Sequence, residues 1–284
     1  MSDHKSLNIL AIGASRNIGY YSSKKLLGAG ATVTFLLRSP TVFDTDEEIQ
    51  PYVKNGHAVL VKGDALVSAD VQKAWDTASK DRPVDFLLFS VGGTPKFTFG
   101  KGFIIDPPNL VTQSLLNALS TMPKVSGVED QTKIITLSSI GLTRTSHDSL
   151  PLAIKPLYGW LLNSPHEDKA GAERAIAYCT GWSWNTEKDG EPNADIMGEN
   201  WQDGLPSAGS LKKALVIRPA LLTDGKCVAE KPQKEGKQPK EPYRVSEGEL
   251  GGYTISRQDV AHFVVDVILN KWAQYENKIV NIGY

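Results

Sequence analysis

Cysteine is scarce in this chain of 284 residues: Cys179 and Cys227 are far apart and in no metal-ligand spacing. Two such thiols make neither a disulfide scaffold nor a zinc site, and they suit the reduced thiols of a cytoplasmic protein. Long apolar runs are lacking too. None reaches roughly 18 residues, so no segment is expected to span a bilayer. The opening MSDHKS has no charged-then-apolar leader pattern, which again predicts a cytoplasmic location. Nor is there an excess of one charge. With 31 Lys and Arg against 32 Asp and Glu, the formal net charge is −1. That balance argues against nucleic acid or an anionic membrane as partner. No internal repeat is present.

What the chain does have is a dense local pattern at residues 7–38. Leu7 to Ile12 is a short apolar run bounded by glycine, as expected of a buried parallel strand. Gly13, Ala14, Ser15, Arg16, Asn17, Ile18 and Gly19 form a turn. Ile18, Leu26 and Leu27 then give a helical stripe, which Gly28 and Gly30 stop. Thr32 to Leu37 is β-branched and apolar, the composition of a second strand. A strand, glycine turn, helix and strand within roughly 30 residues is a dinucleotide-binding unit. Gly13 permits the sharp exit from the strand, and Gly19 lets the helix start lie against the sheet. The spacing is Gly-x-x-x-Asn-x-Gly rather than the usual G-x-G-x-x-G, and Asn17 tolerates positive φ better than other non-glycine residues. The helix N-terminus offers free N–H groups to a pyrophosphate.

The end of the second strand speaks to which nucleotide. NAD units place Asp or Glu there for the ribose 2′-hydroxyl, whereas this chain has Arg38-Ser39. With Arg16 in the turn, two guanidinium groups suit a 2′-phosphate, so NADP(H) is the expected cofactor. The competing reading of Arg38 is a solvated strand-end charge.

Further strands are expected at Ala58–Val61, 84–91 and 133–138. Asp64, followed by Ala65, either accepts from an adenine amino group or caps the next helix. The 84–91 run ends in Val91-Gly92-Gly93, where glycine lets backbone approach a cofactor. Helices are expected at 71–80, 110–119, within 151–178 and at 256–269, the last opening on a Ser256–Asp259 cap. Residues 215–222 read as one strand and 278–282 as another. Residues 226–244 read as an exposed loop. Residues 185–209 read as an insertion, either a flap or a small subdomain. There Trp201, with Trp182 and Trp184 before it, either lines a pocket or packs on the core. Alternation of strands and helices predicts an α/β, Rossmann-type, doubly wound parallel sheet with helices on both faces. One domain over 1–284 is expected.

Several pieces together resemble the short-chain dehydrogenase/reductase superfamily. They are similar to its atypical branch, near the NmrA-like and flavin-reductase-like (biliverdin reductase B-like) proteins. The pieces are GASRNIG at 13–19, LLRS at 36–39, GDA at 63–65, Ser138-Ser139, DKAGAE at 168–173, VIRPALLTDG at 216–225 and ISRQDVAHFV at 255–264. The resemblance implies a Rossmann-type domain, a nicotinamide cofactor along the strand ends, a C-terminal part, here about 210–284, shaping the substrate pocket, and a Ser, Tyr and Lys acting together. Ser138 and Ser139 match the serine position and Lys169 the lysine, which would also hold the nicotinamide ribose. The residue four before Lys169 is Pro165, so the Tyr-x-x-x-Lys pair is absent. Tyr158 and His166 are the substitute proton donors. Packing beside Trp160, for Tyr158, and helix entry, for His166, are their structural alternatives. A Lys169–Glu173 pair is the structural alternative for the lysine. The expected activity is NADPH-dependent reduction of a carbonyl or conjugated double bond in a small apolar or aromatic molecule. A nucleotide sensor without turnover and a cofactor-retaining epimerase are the rivals. No metal is implied.

Overall fold

A computed structural model describes residues 6–94, 96–99, 102–142, 163–231, 241–251 and 253–284. The chain begins with β1 (Asn8–Ile12), α1 (Asn17–Gly28) and β2 (Thr32–Leu37), followed by α2 (Gln50–Lys54), β3 (Ala58–Lys62) and α3 (Ser68–Ala78). Next come β4 (Phe86–Phe89), a hairpin of β5 (Lys96–Thr98) and β6 (Gly102–Ile104), α4 (Leu110–Ser120) and β7 (Lys133–Leu137). The long α5 (Asn163–Thr180) precedes the short α6 (Thr186–Asp189) and α7 (Ala194–Met197), then β8 (Ala214–Pro219) and β9 (Leu221–Thr223). The described chain closes with β10 (Arg244–Ser246), β11 (Thr254–Ser256), α8 (Arg257–Asp266), α9 (Trp272–Tyr275) and β12 (Lys278–Gly283).

Eight strands form one sheet in the order β10-β12-β8-β7-β4-β1-β2-β3. All neighbours are parallel except β10, which runs antiparallel to β12 at the edge. The strands read as continuous apolar runs because both faces are covered. Successive side chains point to opposite faces, and the core divides accordingly. Ile9, Ala11, Val33, Leu88 and Ile217 pack on one side with Ile18 and Leu26 of α1 and Val260 and Val264 of α8. Leu10, Ile12, Leu87, Phe89 and Val216 pack on the other with Trp75 of α3, Leu115 of α4 and Ile176 of α5. This is the doubly wound Rossmann-like α/β fold expected from the alternation of elements.

Several local expectations are corrected. Residues 215–222 are not one strand. Pro219 has no N–H to continue a ladder, and the chain leaves the sheet there; β9 pairs instead with β11 in a separate ribbon. Asp64 does not cap α3. Its Oδ1 accepts from the Leu66 N–H at 3.0 Å, a local Asx turn, and Val67 occupies the cap position. Residues 185–209 are not a free flap. Ile196 and Met197 are buried, and a Cβ on Gly171 of α5 would stand 2.9 Å from Ile196 Cγ2. Trp201 packs edge-on against Tyr178 of α5 with ring centroids 5.4 Å apart. The helix expected over 256–269 starts as foreseen, Ser256 Oγ accepting from the Asp259 N–H at 2.9 Å, but loosens into a π-helical turn at Val267–Lys271. Burial pushes the Cys179 thiol up to about 12 and the Cys227 thiol up to about 11. Among the described residues no helix is long and apolar enough to cross a membrane.

The tightest junction joins the first turn to β4. Gly13 has φ +85°, and a Cβ there would stand 2.6 Å from Val91 Cα. A left-handed non-glycine residue costs roughly 1–3 kcal/mol, and overpacking roughly as much again. Gly13→Ala is therefore expected to lose about 2–6 kcal/mol of stability in urea denaturation, without a change in the slope of the transition.

Candidate functional site

The sheet order reverses direction at β1. From β1 the chain steps outward to β2 and β3, then crosses back to β4 on the other side. Open α/β sheets bind ligands at such a switch point, beyond the carboxyl ends of the strands. The glycine turn lies there. Asn17, the first residue of α1, has φ 57°, the left-handed conformation for which Asn replaces glycine at little cost. Arg16 is the N-cap, gives no side-chain cap, and is followed by no acid in the first turn. The opening N–H groups of α1 are thus left for an anion. Gly19 packs the helix onto the sheet, since a Cβ there would lie 2.8 Å from Ala14 Cα and run into Ser90 Oγ.

Beside this turn is a cavity of about 360 Å³, within the range of roughly 300–1,000 Å³ of small-molecule sites. Gly13, Arg16, Asn17 and Ile18 form its first wall; Val91, Gly92 and Gly93 follow from β4. Ser138 and Ser139 come from the end of β7, and His166 and Lys169 from α5. The structure therefore brings together eleven of the residues singled out from the sequence. Arg38 and Ser39 are exposed at the end of β2, and Asp64 and Ala65 follow β3. These four lie at the same end of the sheet, outside the cavity lining, as do Ser15 and Gly19. Arg38 makes no hydrogen bond or ion pair among the described residues, whereas Arg16 Nη2 donates to Thr94 Oγ1 at 2.6 Å. Tyr158 lies outside the described residues.

The helix α5 is fixed by two buried polar ties. Asp168, fully buried, accepts from the backbone N–H groups of Val111 and Thr112 at 2.8 Å each. It supplies the cap that Asn109, at the head of α4, does not give. One turn later Glu173 accepts a two-pronged contact from Arg218 at the end of β8, its Oε1 taking Nε–H at 2.9 Å and its Oε2 taking Nη2–H. Glu173 is thus committed to Arg218, and the Lys169–Glu173 pair is overturned. Lys169 Nζ instead donates to the Ser138 carbonyl at 2.9 Å. Desolvation lowers the lysine's pKa to about 8, against the pull of Asp168 and Glu173. The Ser138 hydroxyl is buried with no partner among the described residues, while its carbonyl accepts from Lys169. Ser139, half-buried on the cavity, carries the neighbouring hydroxyl. Because α5 begins at Asn163, His166 falls inside it, one turn before Lys169 on the same face.

Sequence reasoning missed the apolar lining from Ile105, Val111 and Leu137, and the wall of Pro219, Ala220, Leu221 and Leu222. The strand-end rule that located Gly92 applies equally to Pro219. It also missed Arg257, which lines the cavity from the first turn of α8. The tryptophans of 182–201 are not on the cavity; Trp182 Nε1 donates to Asn277 Oδ1 at 2.9 Å and Trp184 Nε1 to the Gly190 carbonyl at 2.9 Å.

No family model matches the chain. A curated relative, "Reductase pytE" of Aspergillus terreus, is 29% identical over 233 residues, covering 79% of this chain and 77% of that protein. A short-chain dehydrogenase from Burkholderia cenocepacia, solved in complex with NADP, superposes with a TM-score of 0.57 at 15% identity, over 98% of this chain and 96% of that one. ChuY, an anaerobilin reductase from Escherichia coli O157:H7, gives 0.55 at 14% identity, over 97% and 96%. At these identities the structural likeness establishes the Rossmann-like fold.

The depressed Lys169 pKa fixes a sign. Between pH 8 and 10.5 the unfolded chain holds a proton that native Lys169 has released, so stability rises with pH across that window. Below it the native state carries a desolvated ammonium at a cost. Lys169→Met is expected to be more stable than the parent at pH 6.5 by about 2 kcal/mol, after subtracting the lost hydrogen bond. That advantage should disappear by pH 10.5 in denaturation curves taken at both pH values.

Proposed function

We propose that this chain is an NADPH-dependent reductase of the atypical short-chain dehydrogenase/reductase kind. It acts in the cytoplasm on a carbonyl or conjugated double bond of a small apolar or aromatic molecule. One observation carries the reading: an uncapped helix start, reached through left-handed Gly13 and Asn17, opens directly onto a cavity holding a lysine with pKa about 8. The residues fit the cofactor. There is no room for a Cβ at Gly13, the first turn of α1 has no acid to repel phosphate, and Arg38 stands unpaired among the described residues at the end of β2. Gly13, Arg16, Asn17 and Ile18 would hold the pyrophosphate, Arg38 and Ser39 the 2′-phosphate, and Val91 to Gly93 the ring side. The name of the Aspergillus terreus relative and the NADP of the Burkholderia cenocepacia structure support the same reading.

A bound nicotinamide supplies the hydride. The chain's own residues do the rest. Ser139 donates to the acceptor oxygen. His166 or Lys169 delivers the proton that the reduced oxygen takes up, and a lysine with pKa about 8 is matched to that task near neutral pH. The apolar wall of Leu137 and Pro219 to Leu222 keeps water from the reacting face. Pro165 in the place of the family tyrosine favours one alternative, a nucleotide sensor that binds without turnover.

Calorimetry with NADPH and NADH checks the cofactor assignment. Arg38→Asp should weaken NADPH about 100-fold, the worth of a charge-assisted phosphate contact, and leave NADH within about twofold. Equal loss for both nucleotides removes the 2′-phosphate role. NADPH oxidation with a panel of aldehydes, ketones, quinones and flavins should show turnover; tight binding with none would establish the sensor.

A further inference from the structure

The cavity lining is basic. It contains Arg16, Lys169 and Arg257 and, among the described residues, no carboxylate. Arg16 stands at the turn that serves a pyrophosphate, but Arg257 belongs to another wall. It follows β11 directly, and β11 pairs with β9 so that Ile255 lies opposite Leu222 and Ser256 opposite Thr223. That register runs on to bring Arg257 beside Asp224, and Arg257 shares the cavity lining with the apolar stretch from Pro219 to Leu222. The guanidinium is not needed to finish α8, whose first turn is capped by Ser256. Its Nη1 donates to Asp224 Oδ1 at 2.7 Å, but that carboxylate is 85% exposed while the Arg257 side chain is 24% exposed. An ion pair with one partner standing in water is worth roughly 0–1 kcal/mol. A carboxylate entering the cavity can therefore take its place.

Resting on the reductase reading above, we infer that the substrate carries a carboxylate on its apolar or aromatic body and that Arg257 takes it. The guanidinium fork matches both carboxylate oxygens, and the body lies on Leu137 and the Pro219–Leu222 wall. Arg257 thereby determines specificity, while Ser139, His166 and Lys169 serve the reducible end.

Two ligands that differ only in that charge, 2-naphthoate and 2-naphthamide, test the assignment by calorimetry on the full chain with and without NADP⁺. Naphthoate should bind at least about tenfold tighter than the amide. Arg257→Leu should weaken naphthoate about 10- to 100-fold and leave the amide unchanged, while Arg257→Lys keeps part of the preference. NADPH affinity should stay within about twofold in both variants. With 6-formyl-2-naphthoate and its methyl ester, Arg257→Leu should raise KM for the acid with kcat kept. Equal binding of acid and amide, or binding of neither, overturns the assignment. So does a parallel loss of NADPH affinity, which would give Arg257 to the pyrophosphate. Preferential naphthoate binding with no reduction of either formyl probe would leave the anion site standing and remove the reductase reading instead.

Discussion

The backbone of Gly13 lies against the backbone at Val91 with no space for a side chain between them. That contact joins the exit of β1 to the exit of β4 at the point where the sheet order turns back. The fold around it follows from elementary constraints. Only glycine takes φ +85° and the close approach at once. Because the turn is so tight, α1 starts immediately beyond the strand ends, and its uncapped N–H groups face the crevice rather than solvent at large. Asn17 completes the turn in the left-handed region without a further glycine. The adjoining wall of Val91 to Gly93 is carried by the same junction.

Much of this was legible because it is local. A short unbroken apolar run, a glycine turn and a helical stripe lie within consecutive residues, so β1, α1 and β2 appear in the structure nearly where the pattern sets them. The strands at 58–62, 86–89, 133–137 and 278–283 were legible for the same reason: both faces are buried, so the apolar run is unbroken. The cap on α8 was legible from Ser256 and Asp259 alone. Where two readings shared the same residues, only tertiary packing separated them. Asp64 had the chemistry of a cap, but Val67 occupies the cap position of α3 and the carboxylate closes a smaller turn. Trp201 had the chemistry of a pocket wall, but Tyr178 claims its ring.

What stayed illegible is long-range. Asp168 caps a helix 57 residues away, and Glu173 meets Arg218 across 45 residues. Neither pair has a spacing that local periodicity registers. An acid at i+4 from Lys169 suggested a helical ion pair, and nothing nearby reveals that a strand-end arginine has already taken that carboxylate. Arg257 was illegible for a related reason. Beside Ser256 and Asp259 it looks like an ordinary first-turn residue. Only the pairing of β11 with β9 carries it to the cavity.

Around α5 the structure holds several features that work against stability. Lys169 keeps an amine where burial disfavours its charge. The Ser138 hydroxyl is buried without a partner among the described residues. Glu173 and Arg218 form a buried pair of the kind that apolar residues of similar volume often replace at no loss. Departures of this kind are what a site held at fixed geometry carries. Asp168 is the counterweight. By filling the unsatisfied N–H groups of α4 it binds α5 in one position, and the next residue in the chain is Lys169. The amine is held at the Ser138 carbonyl by a tie made one residue earlier.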